Sequence, residues 1–418
     1  MADVGARLGR LRYAAALASG PTEVMDFLLP LWAAADIGAT PAAIGLVVAI
    51  EAGASLAVRP VAGVLADRAD RQLVAAIGAA LYAAAFVVYA VAPGIVVVGL
   101  GAAVGGAGGA LFWVALRADV GAQLEQDPAA YARLLSSEQA GSLAAFVIGL
   151  SLLGSIGYRP LFLVGAAACL VAMALLLGGR GTARPERRDG VDGRTGLRHV
   201  GGRLAPLLAV TALTAGAESG LALVLLLHLQ AAFGLEPQQI ALLFLPGAIV
   251  LVVFPRRAYE LAIRLGRARS MMFSLVAGAL FTASLALLDT PLVVAALWML
   301  CAAAIATALP VEQATVAQAS AGSLGRGMGL YETAGLLGVI VASPVLAAVY
   351  GGPGWHIACA IAAAGFILGA ALVPLVVRML GLSDELAPAT DAGPRQGGAG
   401  AADSDRCHDG STNGTEDS

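Results

Sequence analysis

A chain of 418 residues is two to three times the length of a usual globular domain. Of these residues 59% are hydrophobic, 53 are glycine and only 13% are charged, about half the charged share of a soluble protein. With a mean hydropathy of +0.83, so much apolar surface cannot be hidden in a water-soluble fold, and disordered, collagen-like and disulfide-scaffold readings fail on the same figures. The chain reads as an all-α integral membrane protein.

Apolar runs of about 20 residues, the length that crosses the hydrocarbon core as a helix, fall at 14–35, 42–62, 72–92, 95–116, 136–156 and 160–179. They continue at 204–232, 238–255, 270–288, 291–311, 328–350 and 355–377, twelve in all. The first run follows Arg7, Arg10 and Arg12 but is too long for a signal-peptide core. It carries Glu23 and Asp26 and leads straight into a second span, so it reads as a retained helix. The four cysteines, Cys169, Cys301, Cys359 and Cys407, are far apart, with no metal or redox spacing.

Arginine supplies every basic Lys/Arg position, and its placement fixes the orientation. With the N-terminus inside, the inner connections hold Arg68, Arg71, Arg117, Arg133, the cluster from Arg180 to Arg203, the cluster from Arg256 to Arg269, and Arg326. The outer connections hold Arg159 alone. The reading is therefore a multi-pass protein of the bacterial inner (plasma) membrane with both termini cytoplasmic. Its expected parts are an N-terminal segment (1–13), a six-helix bundle (14–179), an arginine-rich cytoplasmic linker (180–203), a second six-helix bundle (204–378) and an acidic disordered tail (379–418).

The two bundles echo each other. Glu23 and Pro60 recur 195 residues later as Glu218 and Pro255, and SEQAGSL at 137–143 recurs 194 residues later as YETAGLL. Six helices per repeat is an even number, so the halves lie parallel about an axis along the membrane normal, with a cleft between them at mid-depth. That is the architecture of an alternating-access carrier.

Ionisable groups at mid-depth cost several kcal/mol unless they face water or a partner. Glu23 and Asp26 stand at i and i+3 on one face of the first helix; Glu51 is near the middle of the second and Glu218 near the middle of the seventh. Neighbouring carboxylates with no cation at matching depth repel one another, the setting in which a group takes up and releases protons. They would also attract a cationic cargo. The alternative is a structural role, with these acids hydrogen-bonded to hydroxyls such as Thr22 or Thr214. His228 lies near the outer end of its helix and reads as interfacial. In the fourth span, GLGAAVGGAGGALFW (99–113) carries no charge; its glycines permit tight helix contact, and Phe112 and Trp113 are candidates to line the cavity.

Between the second and third spans the sequence GVLADRADRQ (63–72) resembles the signature loop of the major facilitator superfamily, G-x-L-A-D-R-x-G-R-[RK]. Gly63, Leu65, Ala66, Asp67, Arg68 and Arg71 match, Asp70 replaces the second glycine and Gln72 the last basic residue. The resemblance covers roughly 14–378. It implies that Gly63 permits close helix approach, that Asp67 lies near the start of helix 11, and that Arg71 pairs with an acid at the end of helix 4, for which Asp119 is the candidate. Together these would latch the halves in the outward-open state. The second-half loop AYELAIRLGRAR (258–269) keeps Gly266 and Arg267 without the aspartate. Glu138 and Glu332 head helices 5 and 11, and Glu312 ends helix 10. They are candidate gate residues with arginines such as Arg59, Arg133 or Arg326, or they simply complement helix dipoles.

The expectation from these residues is a secondary carrier and not an enzyme. Glu23, Asp26, Glu218 and Glu51 form the proton and substrate site, and the proton gradient drives transport with no cofactor or metal. The favoured process is efflux of a hydrophobic or cationic small molecule. Proton symport of a nutrient is the alternative, and a non-transporting membrane sensor or assembly protein is less favoured. The partners expected are a small-molecule substrate and the bilayer, with no nucleic acid, for a chain acting as a monomer.

Overall fold

In a computed structural model, residues 2–121, 130–178, 193–253, 261–287, 290–319 and 324–384 are described. Twelve long helices account for nearly all of them: α1 Ala2–Ala35, α2 Pro41–Arg68, α3 Arg71–Val91, α4 Ile95–Gly121, α5 Ala130–Ile156 and α6 Tyr158–Leu177, then α7 Gly193–Phe233, α8 Pro237–Val253, α9 Arg267–Leu285, α10 Pro291–Ala319, α11 Leu324–Gly351 and α12 Trp355–Leu380. Ten are long and apolar enough, by length and composition, to cross a membrane. The other two are α1, weighted by its arginines, Glu23 and Asp26, and the shorter α8.

Helix ends are where the structure and the hydropathy reading differ. Apolar length marks only the part of a helix inside hydrocarbon, whereas backbone hydrogen bonding continues beyond it. Thus α1 begins at Ala2 rather than near residue 14, and α2 runs on through the signature loop to Arg68. Likewise α7 begins at Gly193, inside the stretch expected to be a linker. No proline stands between Pro185 and Pro206 to stop it. Residues 180–192, and the tail from 385 onward, lie outside the described residues.

The connections sort by end. Arginines such as Arg68, Arg71 and Arg117 gather at one end, called here the arginine-rich end. At the opposite end are the short links after α1, α3, α5, α7, α9 and α11. There Gly157 (φ 76°) and Gly354 (φ 105°) occupy equivalent N-cap positions before the sixth helix of each half, in backbone conformations that side chains disfavour.

The same contacts recur in both halves: α1 packs on α5 and α6, α3 on α4 and α6, and α2 on α4, while α7 packs on α11 and α12, α9 on α10 and α12, and α8 on α10. The crossing points recur too. Gly20 meets the backbone of Gly141, and Gly216 meets that of Gly338, at backbone distances only glycine allows. Between the halves the main contacts are α2 with α11 and, more lightly, α1 with α7. Leu100, Leu143, Leu242, Leu280, Leu300 and Val341 are exposed on the outer surface, a band suited to lipid and costly in water.

Candidate functional site

The glycine run of α4 determines how closely its neighbours approach. A Cβ at Gly108 would meet the backbone of Gly78 at 2.9 Å, one at Gly106 would collide with the carbonyl of Glu51, and one at Gly109 with the hydroxyl of Tyr82. Without Cβ atoms there, α2 and α3 press against α4, bringing Glu51, Tyr82 and Tyr89 together beside Asp26 of α1. Pro30, within α1, lines the same space, and Pro246 stands within α8.

Two hollows result. The larger, about 660 Å³, is lined by Glu23, Asp26, Glu218 and Glu312, by Thr211, Thr214 and Tyr331, and by the aromatic rings of Phe27, Phe146, Phe244, Phe281, Trp298 and Phe366. Among the described residues none in its lining is basic. Trp298 is held by its indole N–H, which donates to the Phe244 carbonyl at 3.2 Å, and Phe27 meets Phe146 edge-on at 5.8 Å. The smaller chamber, about 410 Å³, contains Asp26, Glu51, Arg59, Tyr82, Trp113 and Ser219. Asp26, Ala222 and Leu226 belong to both, so the hollows adjoin at Asp26. A third, almost wholly apolar hollow of about 500 Å³ lies on α1, α3, α5 and α6, away from these acids.

All four mid-depth carboxylates therefore face open space between the halves. The hydroxyls considered as structural partners are spent elsewhere: Thr22 donates to the Ala18 and Ser19 carbonyls, and Thr214 to those of Val210 and Thr211. Ser142, of the facing helix, likewise donates to a backbone carbonyl, that of Glu138, at 3.0 Å. Among the described residues none donates a hydrogen bond to Asp26, Glu51 or Glu218.

Of the two candidate lining aromatics, Trp113 faces the smaller chamber, whereas Phe112 is 0% exposed. Phe112 is directed into the α3–α4 contact, edge-on to Tyr82, because the glycines bring that interface too close for the ring to turn elsewhere. Phe112 is a packing residue.

Glu332 joins the halves. Its Oε2 accepts from Arg59 of α2 at 2.6 Å and its Oε1 from Arg117 of α4 at 2.9 Å. Glu138 and Glu332 each stand eight residues inside their helices, beyond the first turn where a helix dipole acts, so neither is a helix-heading residue. Glu138 is buried with Arg117, Glu23 and Glu332 as its charged neighbours. Glu312 lies seven residues before the end of α10 and belongs to the cavity wall, accepting from Thr211 at 3.2 Å. The side chain of Arg326 lies outside the described residues.

The signature loop is built differently from its resemblance. Nothing described lies within 4 Å of where a Cβ at Gly63 would stand. The close approach of α2 to α11 occurs instead at Gly45, 2.7 Å from the Ser343 carbonyl in the same sense. Asp67 and Arg68 are in the last turn of α2; Arg68 is exposed, and the Asp67 side chain lies outside the described residues. Arg71 donates to the carbonyls of Ala66 and Ala118. Both departures from the motif have local work: Asp70 N-caps α3 by accepting from the Gln72 amide at 3.0 Å, and Gln72 donates to buried Asp119 at 3.3 Å. In the second half Arg267, fully buried, donates to Thr315 and Gln318 of α10 and to the Ser383 carbonyl, while Asp384 caps α9 through the Ala268 amide.

At the opposite end His228 stacks on Trp355, centroids 4.0 Å apart, with Tyr350 and Phe233 edge-on. Sequence reasoning missed Arg117 as the partner of Glu332, and Tyr82 and Tyr89 beside Glu51. One signal was present: Arg117 stands 195 residues before Glu312, the repeat offset of Glu23 and Glu218.

A sequence profile described as Major Facilitator Superfamily matches residues 13–259 and 207–401. The chain belongs to the Major Facilitator Superfamily. A search among curated proteins finds no match by sequence. Similar solved structures include the nucleoside transporter NupG, 16% identical, with a TM-score of 0.72 over 90% of this chain and 100% of that one. Another is a variant of the peptide transporter POT in complex with alafosfalin, 13% identical, with a TM-score of 0.73 over 89% of this chain and 95% of that one. At such identities the likeness concerns the fold: twelve helices in two pseudo-symmetric bundles of six. Superfamily membership makes this a multi-pass membrane transporter with a small-molecule substrate, and not an enzyme.

Proposed function

We propose that this superfamily member is a proton-coupled exporter of hydrophobic, cationic small molecules across the plasma membrane, with both termini and the arginine-rich end cytoplasmic. The observation that carries the reading is the lining of the larger hollow: carboxylates from both halves, a wall of aromatic rings and, among the described residues, no basic one. An aromatic cation gains from such rings by cation–π contact and from the carboxylates by charge. A sugar or an anion would find too few amides and no arginine there.

Cargo occupies the larger hollow against Glu23, Glu218 and Glu312, and protons bind the Asp26–Glu51 pair in the smaller one. Asp26, common to both, makes cargo and proton compete. The Arg59–Glu332–Arg117 bridge closes the cytoplasmic end, and the two halves rock about the cleft to expose it alternately.

The test uses everted membrane vesicles and tetraphenylphosphonium. Acidifying the lumen should drive its accumulation, and Glu23→Gln should abolish accumulation while the protein still inserts at the wild-type level. Full activity in Glu23→Gln removes this residue from the site. Accumulation driven only when the lumen is the alkaline side, so that proton and cargo enter together, replaces exchange by symport.

A further inference from the structure

The larger hollow differs from one end to the other. Trp298, Cys301, Ile305, Ala308 and Glu312 form one lining stripe of α10. Fourteen residues separate Trp298 from Glu312, about 21 Å along a helix axis. Glu312 is on the arginine-rich side, where it accepts from Thr211 of α7 at 3.2 Å. Because α7 runs in the opposite sense to α10, Glu218, seven residues beyond Thr211, stands about 10 Å past that contact, roughly midway to Trp298. Carboxylates thus occupy the middle and the arginine-rich side of the stripe. The rings of Phe244, Phe281 and Trp298 gather at the other side, each within seven residues of the opposite-end terminus of its helix.

Trp298 is fixed there by its pyrrole edge. The indole N–H donates to the Phe244 carbonyl at 3.2 Å, and the same edge lies against α8 at Gly247, where a Cβ would collide with the indole nitrogen. Phe244 stands at 85° to the indole and Phe281 at 47°, each with its centroid 5.8 Å away. With one edge committed to α8, the indole cannot swing, and the three rings make a preformed box. An aryl group entering it meets rings already set for edge-to-face and offset contact, with little further ordering to be done. An alkyl chain gains only apolar burial there. By the repeat offset Phe244 and Trp298 correspond to Ala49 and Ala103, so the first half has alanine where the second has these two rings.

We propose that Trp298 is a specificity-determining residue, which seats an aryl group of the cargo in this box while the positive charge of the same molecule faces Glu218. The role rests on the reading above that the hollow takes a cationic cargo, and it narrows that cargo to cations carrying an aromatic ring. Gly247 is outside the lining of the hollow and acts through Trp298 as a positioning residue, because its missing side chain lets the indole reach α8.

The test measures equilibrium binding to the full chain in lipid nanodiscs at one pH and with no gradient. Bound tritiated tetraphenylphosphonium is displaced by the unlabelled compound and by tetrabutylphosphonium, two cations alike in charge and branching that differ in aryl against alkyl groups. Trp298→Leu should weaken tetraphenylphosphonium at least about tenfold and tetrabutylphosphonium less than about threefold. Trp298→Phe, which keeps a ring but not the N–H, should fall between Trp298→Leu and the unaltered chain. Gly247→Ala, which displaces the indole without removing it, should weaken the aryl cation at least about threefold and leave the alkyl cation within about twofold. Retained tetrabutylphosphonium binding shows that each variant is folded. Equal losses for the two cations, or unchanged tetraphenylphosphonium affinity in Trp298→Leu, overturn the role. If the selectivity falls as expected while vesicles show no acid-driven accumulation, the box stands and proton-coupled export falls. Acid-driven accumulation with the selectivity unmoved leaves export standing and removes the box. If the unaltered chain binds neither cation, the cationic cargo and the box fall together.

Discussion

Glu332 is bridged by two arginines, and the bridge is a weak one. The side chains of Arg59, Arg117 and Glu332 are 27%, 38% and 35% exposed, so water screens them and the bridge is worth about 1 kcal/mol rather than the several of a fully buried pair. A carrier needs that weakness, because a lock of several kcal/mol would hold one state for almost the whole cycle. Glu332→Gln should therefore raise the open population of the arginine-rich end about fivefold. The measurement is labelling of a cysteine placed at Ser55, in the smaller chamber, by an impermeant maleimide added at that end. Unchanged labelling would mean that the bridge does not gate. That Glu332 belongs to a repeated pair of acids was legible from its echo of Glu138. Its partners were not, because a sequence gives the face of a helix but not which neighbour that face meets. Arg117 looked like an orientation signal until the structure placed it across from α11.

At the scale of elements, α4 is the helix on which the chamber depends. Its existence, length and tight packing were all readable from a chargeless, glycine-rich run. What that packing accomplishes was not, since the residues it gathers come from α1, α2 and α3, far apart in sequence. Gly106 and Gly99 separate packing from propensity. A methyl group at Gly106 would run into the Glu51 carbonyl, a backbone atom that cannot step aside, whereas at Gly99 it would meet only the end of the Ile50 side chain at 3.5 Å. Gly106→Ala should cost about 1–3 kcal/mol by overpacking and lower the thermal midpoint in detergent by several degrees. Gly99→Ala should be neutral or gain up to about 1 kcal/mol from helix propensity. Equal effects at both sites would show that close contact between α2 and α4 is not what the glycines provide. The same logic explains the fate of Phe112 and Trp113. Adjacent residues on a helix point about 100° apart, so an aromatic pair next to a glycine face divides between core and cavity.

For the molecule as a whole, the repeat preserves contacts and crossing points while letting charge diverge. Gly20–Gly141 and Gly216–Gly338 hold equivalent crossings, but Asp26, Glu51 and Arg59 correspond by the repeat offset to Leu221, Pro246 and Phe254 in the second half. One half thus carries the acidic pair and its arginine, and the other supplies most of the aromatic wall. This division of labour could not be read from composition, because it appears only when the two halves are laid against one another.

Two ends closed by different means have a mechanical consequence. The arginine-rich end is held by a modest ionic bridge, whereas at the opposite end α2 and α11 meet through Pro41 and Gly351, where a Cβ on Gly351 would stand 3.7 Å from that of Pro41. That spacing suits a disulfide. If the halves rock as units, this contact must part once in each cycle, and a covalent bond there should arrest the cycle with the opposite end shut. In a Cys407→Ser background, Pro41→Cys with Gly351→Cys should transport tetraphenylphosphonium when reduced, lose at least about 90% of that rate when oxidised, and recover it on reduction, as expected when a conformational step limits turnover. The three remaining cysteines are buried and free, and the oxidised single variants control for them. Undiminished transport through the oxidised pair would show that α2 and α11 stay together at that end, and motion would then have to be sought at another contact between the halves, such as that of α1 with α7.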